Sequence, residues 1–166
     1  DWDQRVAGHV ADSFRNEHGI ELRDEPGQWE CLMQAACDAK HALSTRSETL
    51  VPVSHAGKQS RLRLTRAEFE SLTGDLVERT RLTCRSVLRE AGVAWGDVTR
   101  LLLVGGATRM PMIQRMLAEE SGLSPDRSLS PDEAVAHGAA IYAGLLLNHG
   151  NEAIRRLSVR NVNSHT

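Results

Sequence analysis

The chain has 166 residues, 40% hydrophobic and 25% charged, which is the size and balance of one soluble globular domain or a domain and a half. A formal net charge of −2 excludes a nucleic-acid or membrane surface held by charge alone. No apolar run approaches the roughly 20 residues that span a bilayer, and aromatics at 4% leave a mostly aliphatic core.

Asp1 is neither methionine nor part of a signal-peptide pattern and already lies in a helical pattern, which predicts a piece of a longer chain. Trp2, Val6, Val10, Ser13 and Phe14 recur at helical spacing and predict an amphipathic helix ending near Gly19. A connector over 20–27 leads to a second helix from Gln28 to about Leu43, with Trp29, Leu32, Met33, Ala36 and Leu43 as its apolar stripe. Cys37, Lys40 and Ser44 share an adjacent stripe and point one way together. Thr49–His55 and Arg61–Leu64 alternate like two strands around Ala56-Gly57-Lys58, which predicts a hairpin.

Thr65 followed by Glu68 has the spacing of a capping box and opens a long helix expected to run to about Ala91. Its expected inner side is Phe69, Leu72, Leu76, Thr80, Val87 and Leu88, and Gly92 ends it. Arg81, Arg85 and Arg89 form a row at i, i+4 that reads as a solvated face. Leu101–Val104 reads as a buried strand, Gly105 and Gly106 as a tight turn, and residues from about Thr108 to Ser121 as the next helix, with Pro111 in its first turn. A last helix starts after Ser130-Pro131-Asp132-Glu133. Its many small residues predict that it lies flush against a sheet. Beyond about Asn148 the chain turns polar and reads as a linker.

A strand ending in glycines and feeding a helix brings bare backbone amides and the positive helix end to one crest, where nucleotides commonly bind. The same glycines also serve a helix that merely packs close to a strand, and both readings stand on these residues alone. Lys40 likewise reads either as a ligand-facing ammonium or as a surface lysine whose stem packs on apolar neighbours. The three cysteines, Cys31, Cys37 and Cys84, are odd in number and lack metal-ligand spacing, and no two of the seven histidines stand at ligand spacing. Unpaired thiols in a reducing cytoplasm, and no zinc, are the expectation.

Gly105–Arg109 with Met110-Pro111, the run from Pro131 to Ala140, Ala39-Lys40-His41-Ala42-Leu43-Ser44, and Leu64-Thr65-Arg66-Ala67-Glu68-Phe69-Glu70 together resemble the DnaK-type heat-shock protein 70 chaperones. The match runs in order from Asp1 to about Leu147. It implies an α/β fold: a partial second lobe of an actin-like (ribonuclease H-like) ATPase domain over 1–147. A helix and β-hairpin subdomain would be inserted at 20–92, and 148–166 would be the interdomain linker.

The resemblance implies ATP or ADP as ligand. Gly105, Gly106 and Ala107 would line the adenosine through backbone, and Arg109 would close over the base. Lys40, His41 and Ser44 would meet ribose and base, and Asp132 would complete the base pocket. It implies no catalytic residue in this chain, with Mg2+ entering only through parts of the parent outside it. An ATPase is implied for the parent, while this chain alone is expected not to hydrolyse ATP. Implied partners are a nucleotide-exchange factor and a J-domain co-chaperone, with unfolded peptide bound by a domain outside this chain, no nucleic acid and no membrane. The implied location is cytoplasmic.

Several positions depart from that pattern. Cys37 stands where a glutamate often contacts the ribose, and His41 replaces arginine or an aliphatic residue, which implies looser nucleotide gripping. The hairpin turn is short, and Leu157–Val162 alternates polar and apolar residues where the family linker is strongly aliphatic. With a single central strand, Leu101–Val104, the sheet edges would be unpaired. Pairing with another chain, marginal stability of that half, or strands recruited from apparent loops is therefore expected, and 20–92 is expected to be the self-sufficient half. Two other readings remain on the sequence: an interaction module that docks a partner by its hairpin beside a vestigial pocket, and a lobe of a sugar kinase or other actin-like ATPase.

Overall fold

The computed structural model describes residues 2–126, 128, 130 and 133–147. The expected roles of Asp132 and of 148–166 lie outside the described residues. The chain divides into two compact units, Asp1–Arg79 and Thr80–Thr166.

In the first unit, α1 (Trp2–His18) and α2 (Pro26–Leu43) pack against one another. Proline at the first position of α2 already has helical φ and lacks an N–H that would go unbonded there. Strands β1 (Glu48–His55) and β2 (Lys58–Thr65) pair antiparallel, from Glu48 opposite Thr65 to His55 opposite Lys58. The two-residue turn Ala56-Gly57 has φ of +49° and +73°. That left-handed pair suits the twist of a hairpin, and it starts β2 three residues earlier than the alternation alone suggests. Val51, Val53 and Leu64 face inward onto Val6, Val10 and Phe14 of α1 and Leu32, Ala36 and Leu43 of α2 as one buried aliphatic core.

The helix expected over 65–91 is two helices, α3 (Arg66–Leu72) and α4 (Gly74–Ala91). The capping box is present: Glu68 N–H donates to Thr65 Oγ1 at 3.2 Å, and Thr65 N–H donates to the Glu68 carboxylate at 2.8 Å. The break falls at buried Thr73, whose hydroxyl donates to the Phe69 carbonyl at 2.6 Å while its backbone leaves the helical region. A hydroxyl bonding back one turn competes with the helix, and the flexible Gly74 follows it.

In the second unit, α5 (Pro111–Ser121) buries Met112, Ile113, Met116 and Leu117 and ends at Gly122 in the left-handed conformation. The basic row is a solvated face only in part: Arg85 and Arg89 are exposed, while Arg81 is half-buried. Arg81 and Arg85 of α4 both donate to Glu120 of α5, at 2.6 Å and 2.7 Å, with Glu120 only 11% exposed. Leu101–Val104 does not form a strand. Its ladder is one parallel bridge, Leu102 with Asp126, and one bond from Asp126 N–H to the Leu101 carbonyl at 2.8 Å. Leu102 and Val104 are exposed. A strand needs neighbours for its backbone groups, and the described residues supply one contact on one side. The last helix, α6 (Ala134–Leu146), buries none of its residues, so it does not lie flush against a sheet among the described residues.

Candidate functional site

Lys40, His41 and Ser44 occupy the last turns of α2. The end of this helix is held from outside it: Arg66 of α3 donates from Nε to the Leu43 carbonyl at 2.8 Å and from Nη2 to the Arg46 carbonyl at 2.7 Å. Carbonyls at a helix C-terminus lack internal donors, and a guanidinium supplies two in fixed geometry. Lys40 is half-buried and grips Asp3 of α1, its Nζ lying 2.7 Å and 2.9 Å from the two carboxylate oxygens. The pair ties α1 to α2. The hydrogen bond in the pair runs from Nζ to Oδ2 at 2.9 Å, which leaves two of the three ammonium donors. Ser44 Oγ sits 3.4 Å from the Lys40 carbonyl, while His41 is exposed with Nε2 4.0 Å from Cys37 Sγ.

Gly105, Gly106, Ala107 and Arg109 lie in the second unit. Residues Gly106–Arg109 form a single 3-10 turn that leads into α5 through Met110. Gly105 has φ +92°, a conformation strained for any side chain. A Cβ built on Gly105 or Gly106 would meet no heavy atom within 4 Å, so the turn borders open space. The N–H groups of Gly106 and Ala107, first in the turn, have no acceptor inside it. Two bonds brace the turn: Thr108 Oγ1 donates to the Gly105 carbonyl at 2.6 Å, and Gln114 Nε2 of α5 donates to the Thr108 carbonyl at 2.9 Å. Buried Met110 anchors its far end.

The structure thus gathers Lys40, His41 and Ser44 on one helix end and Gly105–Arg109 on one braced turn. Asp3, Arg66, Thr108 and Gln114 are the supporting residues the sequence reading missed. Thr108, three positions after Gly105, and Gln114, six positions after Thr108, stood near enough in sequence to be found.

Charge elsewhere is structural. Arg85 first and Arg81 second hold the Glu120 carboxyl down to about 2. Burial, then Glu120, pushes the Cys84 thiol up. Among the described residues, no three His, Cys, Asp or Glu side chains gather to hold a metal ion, and no helix is long and apolar enough to cross a membrane.

The Hsp70 protein family model matches residues 1–166. The chain belongs to the Hsp70 family. Membership brings an actin-like ATPase fold, with which helices around a small two-stranded sheet are consistent. A chaperone protein DnaK of Halobacterium salinarum is 43% identical over 152 residues, covering 88% of this chain and 24% of its own length. The chaperone protein DnaK of Thermotoga maritima is 44% identical over 153 residues, covering 88% of this chain and 26% of its own. This Hsp70 chain therefore spans about a quarter of the length of the curated relatives it matches.

Proposed function

We propose that this chain is the adenosine-holding part of the nucleotide-binding domain of an ATP-driven chaperone, the later part of that domain and mostly its second lobe. The observation that carries the reading is the braced glycine turn, found in a chain of the Hsp70 family. A Cβ on Gly105 or Gly106 would meet open space, which suits close approach of the backbone by a nucleoside. Arg109 would stack its planar guanidinium on the base. Lys40, His41 and Ser44 would meet the ribose and base, with Asp132 completing the pocket.

Asp3 then has a definite part in this reading. By gripping Lys40 it holds the ammonium group in place, so ordering costs less when nucleotide binds. ATP hydrolysis also needs phosphate loops and a positioned water, and no G-x-x-x-x-G-K-[ST] run occurs in the sequence. Mg2+ and the phosphates would be handled by parts of the parent outside this chain. Peptide binding, the exchange factor, the J-domain partner and a cytoplasmic setting belong to the parent in the same reading.

Isothermal titration of the chain with ADP tests it. Saturable binding is expected, weakened in Arg109→Ala and in Lys40→Met, while a phosphate-release assay with ATP shows no turnover. Heats that do not saturate, or equal affinities across the three proteins, would overturn the adenosine role. Saturable phosphate release would overturn the division of labour.

Partner docking by the hairpin is the second reading. Its support is a hollow of about 620 Å³ lined by Pro52, Val53, Ser54, Gln59, Ser60 and Arg61, beside the exposed Leu50. Unaltered ADP binding in Leu50→Ser together with loss of exchange-factor binding would establish it alongside the first.

A further inference from the structure

We infer that Cys37 and His41 form an open, two-donor site for a thiophilic divalent metal ion of the zinc class. The pair mixes two residue types, so neither cysteine spacing nor histidine spacing alone reveals it. At i, i+4 on α2 the two side chains lie one above the other on the same face. The thiol sulfur and the imidazole Nε2 stand 4.0 Å apart.

That spacing is close to what a bound ion needs. With metal–sulfur and metal–nitrogen bonds of about 2.3 and 2.0–2.1 Å at a tetrahedral angle, the two donors sit about 3.6 Å apart. Small rotations about the two side chains' χ angles close the remaining gap, and no backbone movement is required. The helix end is already fixed by Arg66, so the donors are displayed on a rigid support. Thiolate and imidazole are the donors that zinc prefers over magnesium or calcium.

Among the described residues these two are the protein donors that gather, so water or an exogenous oxygen donor fills the remaining positions and the site stays open. Binding replaces the thiol proton with the metal and releases that proton to the buffer. The other two cysteines are internal controls. Cys31 is exposed and its i+4 neighbour is Ala35, while burial and Glu120 disfavour the thiolate of Cys84.

The inference does not rest on a nucleotide role for His41. Its test contains no nucleotide, so a failed ADP titration leaves it standing. The chain, kept reduced with a phosphine, is titrated with Co2+ alone, and the thiolate-to-cobalt charge-transfer band in the near ultraviolet is recorded. One equivalent of cobalt should raise the band, and added Zn2+ should remove it. Cys37→Ser should abolish the band. His41→Gln should weaken cobalt binding at least about tenfold, since even outer partners of a metal site cost about 10–100-fold. Cys31→Ser and Cys84→Ser should match the unaltered chain. Circular dichroism of each variant establishes that α2 is intact. A band that persists in Cys37→Ser, a His41→Gln titration that matches the unaltered chain, or no band at all would overturn the inference.

Discussion

The two units of this chain use apolar residues in opposite ways. Asp1–Arg79 sinks Val6, Phe14, Leu22, Leu43, Val51 and Leu64 to almost complete burial, and Leu50 is its exposed large hydrophobic residue. Among the described residues of Thr80–Thr166, the buried set is Met110, Met112, Ile113, Met116 and Leu117, while Leu102, Val104, Val135, Ile141, Tyr142, Leu146 and Leu147 are exposed. The difference follows from how strands find partners. β1 and β2 are joined by a two-residue turn and satisfy each other's backbone, so their inner faces close over α1 and α2. Leu101–Val104 has no such neighbour in sequence and keeps a single bridge. A patch of exposed apolar residues marks a surface open to interaction or to aggregation.

Removing a large side chain from each core separates the two units most strongly. Phe14 is 1% exposed, and its ring meets the edge of His18 at 4.6 Å between centroids. Phe14→Ala should cost the first unit about 3–5 kcal/mol, a large part of a small domain's stability. Met116→Ala in the second unit should cost about 2 kcal/mol, the lower end for such a change, since the described residues of that unit bury only Met110, Met112, Ile113 and Leu117 beside it. Hydrogen exchange resolved by residue reads both, because one melting curve does not separate two units. Equal loss of protection in the two units on Phe14→Ala would collapse the distinction drawn between them.

What could be read from the sequence divides along the same line. The ends of α1, the hairpin and the capping box at Thr65 are set by residues within four positions of one another, and the structure has all three. The break at Thr73 escaped because threonine at one mid-helix position carries no periodic signal. The Arg81–Arg85–Glu120 clamp escaped because its acid lies 35 or more residues away from the arginines it holds. The same holds at the candidate site. The glycine turn and the shared face of Cys37, Lys40 and Ser44 are local and legible. The Lys40–Asp3 grip, 37 residues apart, depends on how α1 packs on α2 and could not be read from spacing.

A smaller effect sharpens the hairpin side of the comparison. Thr65→Ala removes the acceptor for the Glu68 N–H while leaving β2 paired with β1. The loss should be about 0.5–2 kcal/mol. It should appear as faster exchange at the start of α3, with the amides of the β1–β2 ladder nearly unchanged. Equal loosening of the ladder would show that cap and hairpin unfold as one unit.

The smallest expected effect lies in the second unit and concerns acid. The Glu120 carboxyl is held at about 2, below its ordinary 4.5, by Arg85 and then Arg81. A carboxyl lowered in the folded state stabilises that state fully above its unfolded value, and the contribution disappears as pH falls through the folded value. The second unit should therefore lose stability between about pH 4.5 and pH 2, as protonated Glu120 releases both arginines. Arg85 is 56% exposed, so solvent and salt screen part of the interaction and added salt should flatten the slope. Glu120→Gln should remove that pH dependence from the amides of α5 and leave the first unit's acid profile as it was. A second unit whose acid sensitivity is the same with glutamine at this position would mean that the clamp between α4 and α5 contributes nothing to its stability.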